Sequence, residues 1–341
     1  MSTPTNPAGG VGPSKDTPFL HNLLLDTDGK TPPSLQNPSD LDSFLSGSIF
    51  FVGTATCIIK WAGITIMTDP NFLHQGDHVH LGPGIYSKRL TNPAINLEDI
   101  PPIDAIVLSH FHDDHFDSHV QKNLDKTIPI ITTPQAVNEL AKLGFLALFP
   151  LQTYESALLV KGDAKIAVTS MPAQHSPVGL LDFALPETMG SMLEFIASHE
   201  EGGAAELSTR RIGNLPTAFR MYISGDTLMY DDLKEIPKRY PNIDLGLFHL
   251  GGTTILKTFV VTMDAKQGIE CIRLIHPETA IPIHYNDYDV FLSTLEDFKN
   301  AARESGLDQE TKIVYLHHGD THAFVIDKSR VLDGSTGAVS S

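Results

Sequence analysis

Short apolar runs, separated by glycine, proline and polar residues, cover the chain from about residue 48 onward. Residues 49–52 predict a strand, and residues 57–61 and 64–68 predict two more that are joined by a two-residue turn. Residues 105–108 form a continuous apolar run, which is typical of a strand covered on both faces. The first part of the folded region is therefore predicted to form a sheet.

Strands and helices follow one another in the rest of the chain. Further apolar runs predict strands at residues 127–132, 165–169, 219–223, 280–283 and 312–316. Thr133 caps a predicted helix that stops at Gly144, and helices are also predicted at residues 265–275 and at 231–236, where Pro237 ends the helix. Two successive sets of strands followed by helices predict an α/β sandwich with sheets inside and helices outside.

The two ends of the chain differ from the rest in composition. Residues 1–45 are rich in proline, glycine, serine, threonine and asparagine, and residues 331–341 are similar. Such segments bury little apolar surface. We therefore predict an irregular N-terminal segment over residues 1–45 and a flexible tail over residues 331–341.

Composition and charge narrow the classes of protein. The 341 residues are 41% hydrophobic, which is enough to bury a large core. The net charge of -17 argues against nucleic acid as a main partner, because an acidic surface repels phosphate backbones. The two cysteines cannot form a disulfide framework, and no secretory pattern or run of about 18 apolar residues is visible. We expect a cytoplasmic protein without a membrane span.

The chemistry is concentrated in one segment, His110-x-His112-x-Asp114-His115, which directly follows the apolar run at 105–108. Imidazole and carboxylate groups suit zinc, manganese or iron. A strand end fixes the backbone, and the spacing allows one set of side chains to serve two ions. The alternative is a solvated polar loop, which the density of ligand types disfavours. The segment therefore predicts a metal site.

This segment resembles the HxHxDH signature of the metallo-β-lactamase superfamily. Later landmarks of that family appear in order: His175 in Met-Pro-Ala-Gln-His, Asp226 in Ser-Gly-Asp-Thr and His284 in Ile-Pro-Ile-His-Tyr. The resemblance extends from about residue 48 to about residue 325. It implies an α/β fold, the four-layer αββα sandwich, in a single hydrolase domain at residues 46–330.

The resemblance also implies a ligand set for two divalent ions, zinc with manganese or iron as alternatives. One ion would be held by His110, His112 and His175. The other would be held by Asp114, His115 and His284, and both would be bridged by Asp226. Asp69, in Thr-Asp-Pro, matches a further landmark and would orient a ligand histidine, unless it only ends a strand.

Two residues are candidates for proton transfer. Asp114 could orient a hydroxide shared by the two ions and carry its proton. His249 follows an apolar strand and precedes Gly251-Gly252. In this family that strand end approaches the site, so His249 either protonates a leaving group or packs in the interior.

The motifs at residues 224–227, 243–246, 262–264 and 283–285 resemble the branch that contains L-ascorbate-6-phosphate lactonase and N-acyl-phosphatidylethanolamine-hydrolysing phospholipase D. We expect a hydrolase that opens a lactone or cleaves a related ester of a small molecule. A phosphodiesterase is the alternative, and a non-catalytic binding protein is disfavoured because all seven ligands are present. The sequence leaves open whether the protein forms a homo-oligomer. Apolar residues that could wall the substrate pocket, or simply pack in the core, are Val178, Leu180, Leu181, Phe183 and Leu185.

Overall fold

The protein is described from a computed structural model, which covers residues 19–27, 29–81, 86–176, 185–198, 217–255 and 259–335. The strands, in chain order, are β1 (His21–Leu24), β2 (Ser46–Gly53), β3 (Thr56–Trp61), β4 (Ile64–Thr68), β5 (His78–His80), β6 (Tyr86–Lys88), β7 (Ala105–Val107), β8 (Ile130–Thr132), β9 (Leu148–Pro150), β10 (Ser156–Lys161), β11 (Ala164–Met171), β12 (Gly190–Ala197), β13 (Phe219–Ile223), β14 (Leu245–His249), β15 (Thr254–Ile255), β16 (Phe259–Val260), β17 (Thr279–Ile283), β18 (Lys312–Ile313) and β19 (Thr321–Val325). The helices are α1 (Leu41–Leu45), α2 (Ser118–Asn123), α3 (Pro134–Lys142), α4 (Glu235–Arg239), α5 (Ala265–Ile275), α6 (Leu295–Ser305), α7 (Leu307–Glu310) and α8 (Lys328–Ser335). Short 3-10 turns lie at Leu97–Asp99 and Asp231–Lys234.

Two large sheets form the centre of the molecule. Within the described residues, the first sheet has the order β1-β10-β11-β12-β13-β14-β17-β18 and the second has the order β19-β2-β3-β4-β7-β8-β9. In the first sheet β13, β14, β17 and β18 are parallel to one another, and in the second sheet so are β4, β7, β8 and β9. Because parallel strands end at the same edge of a sheet, residues that follow them converge there.

Apolar side chains fill the space between the sheets and under the helices. The central core joins residues of both sheets, with Phe51 and Ile66 from one and Phe195 and Leu247 from the other. A second core packs α4 to α7 on the outer face of the first sheet, and a third packs α2 and α3 on the outer face of the second. This is the four-layer αββα sandwich, so the predicted fold class is confirmed.

Local signals placed several elements correctly. Thr133 caps α3 by accepting a hydrogen bond from the backbone of Ala136 at 3.2 Å. α5 begins after Asp264, which caps it in the same way, and Ile269, Ile272 and other apolar residues face the sheet. The predicted boundary at Pro237 is wrong, because α4 runs through this proline to Arg239. Pro237 lies in the first turn, where its missing N–H has no intrahelical partner to lose.

The chain ends contain more regular structure than their composition suggests. Within the segment expected to be irregular, β1 adds to the edge of the first sheet beside β10, and α1 buries Phe44 completely. α8 continues into the predicted tail and buries Val331. A few apolar side chains suffice in each case, because they dock on a core that already exists. Of the helices that the structure describes, none is both long and apolar enough to cross a bilayer.

Candidate metal centre

The predicted ligands lie where strands of the two sheets end on the same side of the molecule. His110 to His115 follow β7, and His175 follows β11. Asp226 follows β13, and His284 directly follows β17. All are buried except His112, which is half-buried. Four strand ends, fixed by their sheets, therefore bring together side chains that are up to 174 positions apart in the sequence (284 minus 110).

Three of these histidines form the first group. The ligand atoms of His110, His112 and His175 all lie within 4.8 Å of one another. The Nε2 atom of His110 is 3.1 Å from Nδ1 of His112. Three imidazole nitrogens at this spacing can bind one divalent ion.

The second group contains Asp114, His115 and His284, whose ligand atoms also lie within 4.8 Å of one another. His284 Nε2 is 3.6 Å from Asp114 Oδ2 and 3.7 Å from Asp226 Oδ1. His115 Nε2 is 3.5 Å from the same Asp226 oxygen. Asp226 also forms a group with His110 and His115, and its Oδ2 lies 3.8 Å from His175. Asp226 therefore lies between the two groups, where a bridging ligand would be.

The chemistry of these atoms fits a bound cation. Asp114 Oδ1, His115 Nε2, Asp226 Oδ1 and His284 Nε2 are buried and have no hydrogen-bond partner among the described residues. A buried polar atom without a partner costs about 1–3 kcal/mol. The two histidine nitrogens lie 3.5–3.9 Å from Asp226 Oδ1 and Asp114 Oδ2, which is too long for hydrogen bonds but close to the ~3.4 Å between ligands bound tetrahedrally at about 2.1 Å. The side chains of Asp114, His115, Asp226 and His284 are therefore suited to share metal ions.

Other groups hold the ligands in orientation. His175 and His284 each direct Nδ1 at a backbone carbonyl, of Val261 and Leu250 respectively, at 3.0 Å. Thr262 donates a hydrogen bond to Asp226 Oδ2 at 2.6 Å. Such contacts fix the tautomer, so that Nε2 of each histidine faces the site.

The pKa values match this arrangement. Burial lowers the pKa of His110 well below 6.5, and repulsion from His115 and His175 adds to the effect. Burial alone would raise the pKa of Asp226, but the charges of His284 and His115 outweigh it and hold that pKa well below 3.8. Burial lowers the pKa of His115, whereas Asp226 and Asp114 raise it well above 6.5. A metal ion at Nε2 of His115 would therefore compete with a proton for the same nitrogen.

Asp69 occupies the position expected for a residue that orients a ligand. It follows β4 with a left-handed backbone, at φ 35°. Its carboxylate accepts hydrogen bonds from Ser109 N at 2.7 Å and Ser109 Oγ at 3.0 Å, and it lies 3.2 Å from His115 Nδ1. Burial opposes ionisation, but the contacts with His115 and His249 outweigh it and lower the pKa of Asp69 to about 2.

His249 does not lie where a proton donor to a leaving group is needed. It is fully buried at the end of β14, and its ring is stacked behind that of His115 at a centroid distance of 6.0 Å. One ring nitrogen faces Ser224 and the other faces Asp69. The expectation that His249 protonates a leaving group therefore disagrees with its position, because protein groups surround both nitrogens.

Sequence reasoning missed a buried arginine beside the site. Arg89 is fully buried and donates hydrogen bonds to Thr54 Oγ1 and Asn71 Oδ1. Its guanidinium also lies 3.9 Å from Asp287 Oδ1. Asn71 in turn donates to the carbonyl of Asp113 at 3.1 Å.

These contacts join the loops that carry two of the ligands. The carbonyl of Thr54 accepts a hydrogen bond from His284 N at 2.7 Å, and His284 has a left-handed backbone, at φ 61°. Asp113 directly precedes Asp114. Nothing in the sequence near Arg89 indicated these partners, since Asp287 is almost 200 positions away.

Of the apolar residues proposed as a pocket wall, only Leu185 lies within the described part of the chain. It is buried against Val261 and Phe259. Val178, Leu180, Leu181 and Phe183 lie outside the described residues.

Comparison with known proteins agrees with the site. A family model described as "Beta-lactamase superfamily domain" matches residues 65–285, a range that contains every candidate ligand. The chain belongs to the metallo-β-lactamase superfamily. The family resemblance predicted from the histidine motif is therefore confirmed.

Relatives within this superfamily carry hydrolase names. A UPF0173 metal-dependent hydrolase from Nanoarchaeum equitans is 26% identical over 215 residues, which are 62% of this chain and 83% of the relative. An N-acyl-phosphatidylethanolamine-hydrolyzing phospholipase D 1 from Caenorhabditis elegans is 27% identical over 265 residues, which are 72% of this chain and 67% of the relative. The chain is a metal-dependent hydrolase of the superfamily.

Solved structures share the fold at low sequence identity. An isothiocyanate hydrolase from Delia radicum gut bacteria matches with a TM-score of 0.63 and 18% identity, covering 82% of this chain and 99% of that chain. CmlA, a diiron β-hydroxylase from Streptomyces venezuelae, matches with a TM-score of 0.54 and 13% identity, covering 82% and 54%. Since a hydrolase and a hydroxylase share the fold, the reaction must be argued from the site.

Proposed function

We propose that this metal-dependent hydrolase binds two divalent ions and opens a lactone, or cleaves a related ester, of a small molecule. Zinc is the expected metal, with manganese or iron as alternatives. The observation that carries the proposal is a set of four buried ligand atoms without hydrogen-bond partners among the described residues, three in the second group of ligands and one on Asp226, which lies between the two groups. Three histidines would hold one ion, Asp114, His115 and His284 would hold the other, and Asp226 would bridge them.

The residues of the chain divide the chemistry between them. When bound, the ions lower the pKa of a coordinated water to about 7 and withdraw charge from the group under attack. Asp114 orients the attacking water and accepts its proton at Oδ1, which accepts no hydrogen bond from the described residues. The water oxygen forms a bond to the carbonyl carbon, and the bond from that carbon to the leaving oxygen breaks. The proton held by Asp114 passes to the leaving oxygen, so no serine or cysteine nucleophile is needed.

The surroundings of the site favour an uncharged ester over a phosphodiester. A cavity of about 510 Å³ opens beside His175. Its lining includes Gln135, Gln174, Thr188 and Glu187, and among the described residues it includes no lysine or arginine. Enzymes that cleave phosphate esters place cations around the phosphoryl oxygens. A carboxylate and neutral amides are better suited to the oxygens and hydroxyls of a neutral substrate.

A phosphodiesterase is the second candidate. It is favoured by the 27% identity to the phospholipase D from Caenorhabditis elegans over 72% of this chain. In that case the two ions themselves would have to supply the positive charge, since the described lining of the cavity does not.

A panel assay tests the proposal. Protein reconstituted separately with zinc and with manganese is offered lactones, carboxylic esters, thioesters and phosphodiesters. We expect turnover of lactones or esters, its loss in D114N, and its retention in D113N. Asp113 is a suitable control because its carboxylate faces His80 N, at 3.1 Å, and Gln121. Turnover of phosphodiesters without turnover of any lactone or ester would contradict the proposal.

A further inference from the structure

His249 makes a polar contact between the two sheets, directly beneath the metal centre. It ends β14, the strand of the first sheet that lies between β13 and β17. Those two neighbours lead to Asp226 and His284. The Nε2 atom of His249 lies 3.4 Å from Asp69 Oδ2, and Asp69 directly follows β4 of the second sheet. The His249 side chain thus connects the parts of the two sheets that carry the metal ligands.

The contacts of Ser224 indicate which ring nitrogen acts on which partner. Ser224 Oγ accepts a hydrogen bond from His249 N at 2.8 Å, and its single proton can be donated either to the carbonyl of Gly225, at 2.9 Å, or to His249 Nδ1, at 3.3 Å. Donation to Nδ1 leaves the ring proton on Nε2, which faces Asp69. Gly225 directly precedes the bridging candidate Asp226, so this end of His249 supports the loop that carries it.

The other end of the ring completes the environment of Asp69. Asp69 receives two hydrogen bonds from Ser109 and lies 3.2 Å from His115 Nδ1. His249 Nε2 lies 3.4 Å from the same Oδ2 that Ser109 Oγ and His115 Nδ1 approach. An ionised carboxylate only accepts, so the nitrogen that faces it is expected to carry a proton. Without it, the buried Asp69 carboxylate could rotate away from His115.

We infer that His249 is a positioning residue, which donates a hydrogen bond from Nε2 to Asp69 and so fixes His115 towards the second metal ion. This inference rests on the two-ion centre proposed above. It assigns His249 no contact with substrate. Asp69 reaches the first group of ligands only through Ser109, whose Oγ lies 2.9 Å from His110 Nδ1, so the affinity for the first ion should depend less on His249 than the affinity for the second.

Two variants of similar size separate the two ends of the ring. In H249Q the side-chain amide reaches the place of Nε2, so it can still donate to Asp69. In H249N the amide reaches only the place of Nδ1, so the contact with Ser224 is kept and the contact with Asp69 is lost. Both variants replace the ring with a side-chain amide. If the ring served only in packing, the two variants would therefore bind metal alike.

Zinc titration of the metal-free protein against a chromophoric chelator measures each step of binding. We expect H249N to weaken the second equivalent by about 10- to 100-fold, as is typical for loss of a group that orients a ligand. The first equivalent should weaken by a smaller factor than the second, and H249Q should bind both equivalents like the wild type. Equal behaviour of H249N and H249Q, or full affinity in H249N, would overturn the inference.

A measurement on the unaltered protein does not depend on the folding of any variant. In the nitrogen-15 NMR spectrum of the zinc-loaded wild type, we expect a proton on Nε2 of His249. An Nε2 without a proton cannot donate to Asp69 and would overturn the inference. Wild-type protein that binds only one equivalent of zinc would instead contradict the two-ion function. The tautomer of His249 would still decide whether its Nε2 can donate to Asp69.

Discussion

Replacing Arg89 with methionine removes a buried charge while keeping an unbranched apolar stem in its place. The guanidinium donates to Thr54, to Asn71 and, at 3.2 Å, to the carbonyl of Thr91. It also lies 5.0 Å from the centre of the Tyr288 ring. R89M therefore leaves several buried acceptors without a donor, and the variant should lose stability.

The expected loss of stability in R89M depends on the hydrogen-bond partners that Asp287 retains. Removing one partner of a buried ion pair typically costs about 3–5 kcal/mol. Asp287 retains hydrogen bonds from Thr54 N at 2.9 Å and from Thr91 Oγ1, and His318 Nε2 lies at 3.1 Å, so we expect the lower end, about 3 kcal/mol. With an unfolding entropy of about 2.1 cal/mol/K per residue, 341 residues correspond to a decrease in Tm of about 4 °C.

Differential scanning calorimetry of the metal-free protein measures this decrease. R273M is the matched control, because Arg273 pairs with Glu310 at 2.8 Å on the surface, where solvent screens an ion pair and it adds little to stability. We expect the Tm of R273M to fall by less than about 2 °C. A Tm of R89M equal to that of R273M would refute the reasoning that Arg89 ties the ligand loops together.

Two further predictions concern the ligands and the periphery of the site. H115A should retain about one of two ions per chain in plasma emission spectrometry. Its kcat should fall by at least about 100-fold, since an ion contributes several kcal/mol to such reactions. Two retained ions would contradict the ligand assignment. Burial lowers the pKa of His318, but the hydrogen bond and charge of Asp287 outweigh it and raise that pKa above 6.5. The stabilisation by the His318–Asp287 pair is therefore fully present below about pH 6.5, and it is lost as the pH rises through the raised pKa of His318. H318Q should accordingly have a lower Tm than the wild type at about pH 6 and a similar Tm at about pH 9, and an equal difference at both would count against the ion pair.

The parts of the site that sequence could predict are those encoded locally. His110 to His115 stand within six residues after an apolar strand, so their density alone indicated a metal. His175, Asp226 and His284 are ordinary residues one at a time, and only their order relative to a known family singled them out. Parallel strands bring these three residues together in the fold, and no local sequence pattern predicts that they will meet.

The parts that could not be predicted depend on contacts between distant segments. Arg89 pairs with a carboxylate near the end of the domain, and β1 pairs with β10 across more than a hundred positions. His249 is instructive in another way. Its place at a strand end beside the site was visible in the sequence, but the direction of its ring was not. Burial and its neighbours turn it away from solvent and towards Asp69.

The number of ions per chain tests the central claim most directly. Metal-free protein is incubated with excess zinc, passed through a desalting column and measured for zinc and protein by plasma emission spectrometry and amino-acid analysis. Two groups of ligands joined by Asp226 predict about two ions per chain. A ratio of about one or less, in protein that is folded and fully active, would contradict the account.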